Sequence, residues 1–124
     1  MQPRLLIVDD EVAILNAMKG FFAQQGFEVD AVSDREEAQD LLLLRSYTAV
    51  IADLRLSGSF STDGLEIVSF VRERYPGTRV ILLTAYGSPE IEAEAWRRGV
   101  DAFLHKPLPL AEIAGQVKAL LKGS

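Results

Sequence analysis

Short apolar runs alternate along the chain with longer stretches in which apolar residues recur at helical spacing. The apolar runs are Leu5–Val8, Phe27–Val32, Ala49–Ala52, Val80–Leu83 and Ala102–Leu104. Most of these runs are continuous rather than alternating, which is typical of parallel strands that are covered on both faces. We therefore interpret each run as a buried strand.

The stretches between the runs carry apolar stripes that predict amphipathic helices. The clearest stripes are Val12, Leu15, Met18 and Phe22, then Leu65, Val68, Val71 and Tyr75, and finally Leu110, Ile113, Val117, Leu120 and Leu121. Gly26 is predicted to end the first helix, and Pro76-Gly77 to end the third. Five strands and five helices in strict alternation predict a (βα)₅ fold.

Two further helices are indicated by their ends. Ser33 with Glu36 has the spacing of a capping box and predicts the start of the second helix. Pro89 suits the first turn of the fourth helix, which is predicted to end at Arg98 and Gly99. Right-handed crossovers then place helices on both faces of one parallel sheet, a doubly wound α/β domain.

Length, charge and composition narrow the kind of protein. The chain has 124 residues, enough for one domain with one core. The net charge is −5 and no block of Lys or Arg stands out, which argues against direct nucleic-acid binding. The chain has no cysteine, and its N-terminal apolar run is too short for a signal peptide or a membrane span. We therefore expect a cytoplasmic domain that does not contact the membrane.

Polar side chains follow four of the five predicted strands. Asp9 and Asp10 follow the first strand, Asp53 the third, Thr84 the fourth and Lys106 the fifth. In doubly wound sheets, ligands bind outside the carboxyl ends of the strands. Three carboxylates, one hydroxyl and one ammonium are therefore predicted to share one edge of the sheet.

This constellation permits phosphoryl chemistry at a metal. Three converging carboxylates offer the oxygen ligands that a hard divalent cation prefers, and Mg²⁺ is the better match because it also favours phosphate oxygens. A carboxylate in such a site can attack phosphorus and form an aspartyl phosphate. The metal and Lys106 would stabilise the charge of the transferred group, and Thr84 could donate a hydrogen bond to it.

Each residue taken alone also has a simpler interpretation. Asp9 and Asp10 could cap the first helix, since Asp is a favoured capping residue. Asp53 could belong to a turn, and Lys106 could be solvated surface. Their joint placement at the ligand-binding edge favours a functional site.

The motifs resemble the receiver domain of two-component response regulators. The resemblance covers essentially the whole chain, through "LLIVDDE", "DLRL", "DGLEIV", "VILLTAYG" and "GVDAFLHKP". It implies a flavodoxin-like sheet with strand order 2-1-3-4-5, the order found in a chemotaxis member of this family. It also implies that residues 1–124 form one receiver domain, either alone or within a longer chain.

The resemblance assigns roles to individual residues. It implies that Asp53 accepts the phosphoryl group, and that Asp10 and Asp53 bind Mg²⁺ directly, with Asp9 close by. The backbone carbonyl of Arg55 is the implied third protein ligand, and Mn²⁺ is expected to substitute for Mg²⁺.

The resemblance further implies a switch around the phosphorylated residue. Thr84 is the implied switch hydroxyl, Lys106 the lysine that pairs with the phosphate, and Phe103 the aromatic residue that rotates inward. The Lys106–Pro107 bond is expected to be cis, which is inexpensive only before proline.

The implied partners are those of a phosphorelay. A sensor histidine kinase or a histidine phosphotransfer protein would donate the phosphoryl group. The surface of the fourth helix, fifth strand and fifth helix would then change and regulate an output domain or effector protein. Homodimer formation on phosphorylation is also implied. The domain is not expected to be an enzyme, apart from its own phosphorylation and dephosphorylation.

The loop "LRLSGSFSTDG" departs from the family pattern. The family usually has proline where Ser57 stands, and the loop before Asp63 is about three residues longer than typical. A lid or partner contact through Phe60 is one interpretation, and a tolerated surface insertion is the favoured one. Arg55 and Tyr86 stand at positions where bulk could shield the phosphate from water.

Three other functions are weighed against a working receiver. A haloacid-dehalogenase-type phosphatase would need a second acid two residues after Asp53, where Arg55 stands. A receiver-like interaction module without phosphate usually lacks an acid, the Thr or the Lys, and this chain keeps them all. Flavin binding would need a phosphate loop where "DDE" stands, and these acids would repel the phosphate.

Overall fold

Five strands and five helices alternate in the computed structural model, which describes residues 2–58 and 60–122. The elements are β1 Arg4–Val8, α1 Val12–Gln24, β2 Glu28–Val32, α2 Arg35–Leu44, β3 Ala49–Ala52, α3 Asp63–Arg74, β4 Arg79–Thr84, α4 Pro89–Arg98, β5 Ala102–His105 and α5 Leu110–Lys122. The predicted (βα)₅ alternation is confirmed, with strand boundaries that differ from the prediction by one residue or not at all.

The strands form one parallel sheet in the order β2-β1-β3-β4-β5. β1 lies between β2 and β3, and β4 joins β3 to the edge strand β5. The strand order therefore reverses its direction beside β1, and this switch point is where doubly wound sheets bind ligands. The predicted flavodoxin-like fold and strand order are confirmed.

Each face of the sheet packs against its own layer of helices. Residues such as Leu6, Val50 and Leu82 point to the face covered by α2, α3 and α4. Their neighbours Leu5 and Ile51 point to the opposite face, which α1 and α5 cover. Because successive strand residues face opposite ways and both faces are buried, the central strands are apolar throughout Leu5–Val8, Ala49–Ala52 and Val80–Leu83.

The start of α2 corrects one sequence prediction. Ser33 and Glu36 do not form a capping box. The helix instead begins after Asp34, whose extended backbone lets its carboxylate accept a 2.8 Å hydrogen bond from the Glu37 backbone N–H. Both predicted residues are one position early, because the stronger acceptor next to Ser33 takes the capping role.

Both ends of a helix are also informative in α1 and α4. The apolar stripe of α1 begins with Val12, whose side chain is exposed, and its buried members are Leu15, Met18 and Phe22. The ends of α4 are confirmed: Ser88 caps the helix before Pro89, and Gly99 ends it with a left-handed φ of 101°. Within residues 2–58 and 60–122, none of the helices has the length and apolarity needed to cross a membrane.

Candidate metal centre

Backbone hydrogen bonds fix the residues that follow the strands. The Asp9 N–H donates to the Val32 carbonyl at 3.2 Å, and the Asp53 N–H donates to the Val8 carbonyl at 2.9 Å. These bonds continue the ladder of the sheet past the ends of β1 and β3. Asp9 and Asp53 therefore stand side by side on a rigid edge, where a site can be held with little motion.

Three carboxylates meet at this edge, as the sequence predicts. One oxygen from each of Asp9, Asp10 and Asp53 lies within 4.8 Å of the other two. Asp9 is 3% exposed and Asp53 5% exposed, whereas Asp10 is open to solvent. Carboxylate oxygens on one solvent-open side are the donors that Mg²⁺ prefers, so this set fits a hard divalent cation.

Lys106 supplies positive charge to the same cluster. Its ammonium donates hydrogen bonds to Asp9 Oδ2 at 2.8 Å and to Asp53 Oδ2 at 3.0 Å, with a side chain only 12% exposed. Burial alone would lower the Lys106 pKa, but the hydrogen bonds to the two carboxylates outweigh burial and raise it. Lys106 is therefore held fully charged between the two buried acids.

The alternative in which Asp9 and Asp10 cap the first helix is not what the structure shows. Glu11 occupies the capping position of α1 and makes no side-chain cap hydrogen bond. Asp9 Oδ1 does accept the Glu11 backbone N–H at 2.9 Å, while its other oxygen faces Lys106. Asp9 therefore orders the turn before α1 and contributes to the charged cluster at the same time.

Asp10 is the least compensated of the three acids. Burial raises its pKa, and repulsion from Asp9 and Asp53 raises it further, although Lys106 partly opposes this. Ionised Asp10 therefore costs folding free energy in the absence of a metal, because the folded state holds the Asp10 proton more tightly than the unfolded chain does.

We expect Asp10→Asn to stabilise the metal-free protein at neutral pH. The gain should shrink as the pH falls through the Asp10 pKa, because the wild-type side chain then becomes neutral as well. Urea unfolding of both proteins in chelator from pH 7 downward measures this. A gain that grows on acidification would contradict the assignment of Asp10 as the uncompensated charge.

The predicted switch residues lie on the neighbouring strands β4 and β5. Thr84 is fully buried, and its Oγ1 accepts the Tyr86 backbone N–H at 3.1 Å. Phe103 is 7% exposed and packs among the core residues under α3 and α4. The Lys106–Pro107 peptide bond is cis. Thr84 and Lys106 thus join the carboxylate edge, while Phe103 lies in the core beside it.

The open side of the carboxylate cluster is a small cavity. Its volume is about 260 Å³, and it is lined by Asp10, Glu11, Asp53, Arg55, Gly58 and Tyr86. The Arg55 guanidinium carbon lies 4.8 Å from the centre of the Tyr86 ring, a cation–π contact across the mouth. Gly58 and Glu11 also line the cavity, and the sequence did not identify either as a site residue. Gly58 lies in the loop between β3 and α3, where no helical or strand period predicts the position of a residue.

Fold and site together define a doubly wound domain with an acid and lysine cluster at its strand ends, the class of signalling receiver domains. Residues 5–118 match the family described as response regulator receiver domain, so the chain belongs to that family.

Two solved structures and one curated protein show how close the relatives are. The receiver domain protein (CheY-like) from Methanospirillum hungatei JF-1 is 25% identical, with a TM-score of 0.92 over 99% of this chain and 96% of that one. The receiver domain of NtrX from Brucella abortus is 27% identical, with a TM-score of 0.85 over 97% and 99% of the two chains.

The transcriptional regulatory protein SrrA from Staphylococcus aureus (strain NCTC 8325 / PS 47) is 33% identical over 122 residues, which are 98% of this chain and 49% of that protein. The chain therefore spans about half the length of the curated relatives it matches.

Proposed function

We propose that this receiver domain takes part in a phosphorelay in which Asp53 accepts a phosphoryl group in a Mg²⁺-dependent reaction. The observation that carries the proposal is the position of the Asp53 carboxylate, which is grouped with the Asp9 and Asp10 oxygens and lies 3.0 Å from the Lys106 ammonium. A carboxylate so placed can attack phosphorus, while the cation beside it offsets the charge of the arriving group.

The neighbouring residues have defined roles in the proposal. Asp10 and Asp53 bind the metal with the Arg55 carbonyl, and Asp9 assists from its position between Lys106 and the Glu11 N–H. Mg²⁺, or Mn²⁺ in its place, would neutralise charge on the phosphoryl oxygens. Lys106 holds the position of Asp53 before transfer and pairs with the phosphoryl group afterwards.

The proposed output follows from the residues behind Asp53. After transfer, Thr84 turns its hydroxyl toward the phosphoryl group, and the α4, β5 and α5 surface shifts with Phe103. The donor is a sensor histidine kinase or a histidine phosphotransfer protein, acting in the cytoplasm. The receiver of the signal is an output domain or an effector protein, and phosphorylation favours a homodimer. Residues 1–124 are proposed as one receiver domain.

Beryllofluoride, a mimic of the phosphoryl group, tests the site without a kinase. In ¹⁹F NMR, a protein-bound signal should appear only when Mg²⁺ is present, because three carboxylates repel a fluoride-rich anion without a cation. Asp53→Asn should abolish the signal, whereas Asp40→Asn, on the exposed side of α2, should leave it unchanged. A bound signal of equal size in Asp53→Asn would overturn Asp53 as the acceptor.

Mg²⁺ should raise the melting temperature of the domain, because it relieves repulsion among Asp9, Asp10 and Asp53. At a hundredfold excess over the dissociation constant, the expected gain in unfolding free energy is about 2.7 kcal/mol. Differential scanning calorimetry with and without Mg²⁺ measures the shift. An unchanged melting temperature at tens of millimolar Mg²⁺ would argue against a metal site at this edge.

Arg55 and Tyr86 are proposed to lengthen the life of the phosphorylated state. Their side chains are in contact at 4.8 Å, and both line the cavity that Asp53 also lines. Replacing both with alanine should speed the loss of phosphate, followed by intact-protein mass after removal of the donor. An unchanged rate in the double variant would show that the two side chains do not shield the site.

A further inference from the structure

Gly87 lies against the buried aromatic ring of Phe103. A β-carbon built at position 87 would fall 2.9 Å from Phe103 Cε1, 3.2 Å from Phe103 Cζ and 3.1 Å from His105 Cε1. Real β-carbons essentially never approach another atom within 3.0 Å, so the first contact requires a shift, and the other two require each ring to give by a few tenths of an ångström. The ring therefore occupies space that any side chain at position 87 would need.

The requirement at Gly87 is for space and not for an unusual backbone. The glycines with positive φ in the described part of the chain are Gly26, Gly58 and Gly99. Alanine at position 87 therefore carries no positive-φ penalty, and its expected effect comes from the contact with the neighbouring rings. Gly77 provides a matched comparison, because it also lacks a positive φ and a β-carbon there would meet nothing within 4 Å.

The two neighbours of Gly87 differ in how they can yield. The His105 side chain is 63% exposed, so its ring can turn into solvent at little cost. Phe103 is 7% exposed and surrounded by core residues, so its ring cannot move deeper. If a side chain at position 87 displaces the Phe103 ring, the ring can therefore move only outward, toward solvent.

Movement of the backbone would relieve the contact only by disturbing the switch segment. The Tyr86 N–H is bonded to Thr84 Oγ1, and Ser88 caps α4 by accepting the Ile91 N–H. Gly87 sits between these two anchors. Lifting it away from Phe103 would pull on the hydroxyl that the proposed function assigns to the phosphoryl group.

We propose that Gly87 is a positioning residue for Phe103: its missing β-carbon makes room for the inward ring, so residue 87 sets how much of the population keeps that ring buried. One consequence rests on the proposed function: in a protein with a side chain at position 87, Asp53 would still be phosphorylated, but the α4 and β5 surface would no longer change in response. The steric part of the inference, which concerns the Phe103 ring in the unphosphorylated domain, does not rest on the proposed function.

One NMR experiment measures the ring position directly. His105 is the only histidine in the chain, so its imidazole gives a single set of resonances. Its ring lies edge-on to Phe103 with centroids 5.4 Å apart, close enough for the Phe103 ring current to shift those resonances. Spectra are compared for wild type, Gly87→Ala, Gly77→Ala and Phe103→Leu, together with nuclear Overhauser contacts between the Phe103 ring and core methyl groups.

In Gly87→Ala, the contacts between the Phe103 ring and core methyl groups should fall about tenfold. The added β-carbon overpacks the site of the buried ring, and the usual free-energy cost of overpacking lowers the population of that ring position by about this factor. The His105 resonances should move away from the wild-type position, while Gly77→Ala should match wild type in both measurements. Wild-type contacts and shifts in Gly87→Ala would overturn the proposal. If Gly87→Ala alone does not fold, the double variant Gly87→Ala/Phe103→Leu is compared with Phe103→Leu. The proposal predicts that the double variant is as stable as Phe103→Leu, because the clashing ring has been removed. A double variant that does not fold would also overturn the proposal.

Acetyl phosphate separates this proposal from the proposed function. Gly87→Ala should take up phosphate to the wild-type extent with Mg²⁺, but should lose the phosphate-dependent shift of the His105 resonances. If neither protein is phosphorylated, the proposed function fails while the ring measurement still decides the role of Gly87. A normal phosphate-dependent shift in Gly87→Ala would contradict the coupling.

Discussion

Replacing Lys106 by methionine should lower the free energy of unfolding of the metal-free protein by about 3–5 kcal/mol, the usual cost of removing one partner from a buried charge pair. The ammonium is the shared partner of Asp9 Oδ2 and Asp53 Oδ2, and both acids are almost fully buried. Without it, both buried carboxylates lose the cation that bridges them. Urea unfolding at neutral pH in the presence of a chelator measures the loss.

The metal dependence of this variant should identify the cause. Mg²⁺ should restore part of the lost stability, because it replaces the missing positive charge beside the two buried acids. Lys118→Met serves as the control, since Lys118 is exposed and pairs with neutral Gln25 at 2.7 Å. If Lys106→Met were as stable as this control at neutral pH, Lys106 would not be compensating the buried acids.

Gly64→Ala should destabilise the domain by about 3 kcal/mol, the upper part of the range for overpacking. A β-carbon at Gly64 would lie 2.5 Å from the Asp53 carbonyl oxygen and 2.7 Å from Leu54 Cα. These are backbone atoms of the segment that carries the proposed phosphoacceptor, so neither can turn aside as a side chain would. The Gly64 N–H also donates to the Leu54 carbonyl at 2.9 Å, which holds the two segments in contact.

Two other glycines provide the comparison for this prediction. A β-carbon at Gly20 or Gly115 would meet nothing within 4 Å, and both residues are exposed on helices. Alanine there should stabilise the domain by about 0.5–1 kcal/mol, because glycine is a poor helix former. Thermal unfolding of the three alanine variants gives the contrast. Equal effects at Gly64 and Gly115 would show that the close approach to Asp53 does not limit position 64.

The contact between Gly64 and Leu54 also fixes both ends of the loop between β3 and α3. The chain leaves the sheet after Asp53 and returns to the same place at Gly64, so the extra residues lie outside this contact. Phe60, within that loop, is almost completely exposed. The loop therefore changes the rim of the cavity, through Gly58, and leaves the position of Asp53 to the sheet.

The sequence predicts which side chains meet at the sheet edge, because the fold brings the strand ends together. Once Asp9, Asp53, Thr84 and Lys106 are assigned to the ends of parallel strands, their meeting follows from sheet geometry and needs no side-chain detail. Burial of the central strands is equally predictable, since every residue in runs such as Leu5–Val8 is apolar.

Features that depend on contacts distant in sequence are not predictable in the same way. Gly64 and Gly87 look like ordinary loop or helix-start glycines until their distances to Asp53 and Phe103 are known. Arg72 gives no sequence signal either, yet its guanidinium donates to the Gly99 carbonyl and to Asp101, tying α3 to the end of α4. Val12 belongs to the apolar stripe of α1 by its spacing, but its exposure becomes known only from the structure.

Intact-protein mass spectrometry after incubation with acetyl phosphate and Mg²⁺ tests the central claim most directly. Wild-type protein should gain a single phosphoryl group, and Asp53→Asn or wild type in chelator should gain none. Thr84→Ala should still be phosphorylated, because the hydroxyl is proposed to respond to the phosphoryl group rather than to receive it. Equal addition to wild type and Asp53→Asn, or none to a folded wild type that binds Mg²⁺, would contradict the account of Asp53 as a metal-dependent phosphoacceptor.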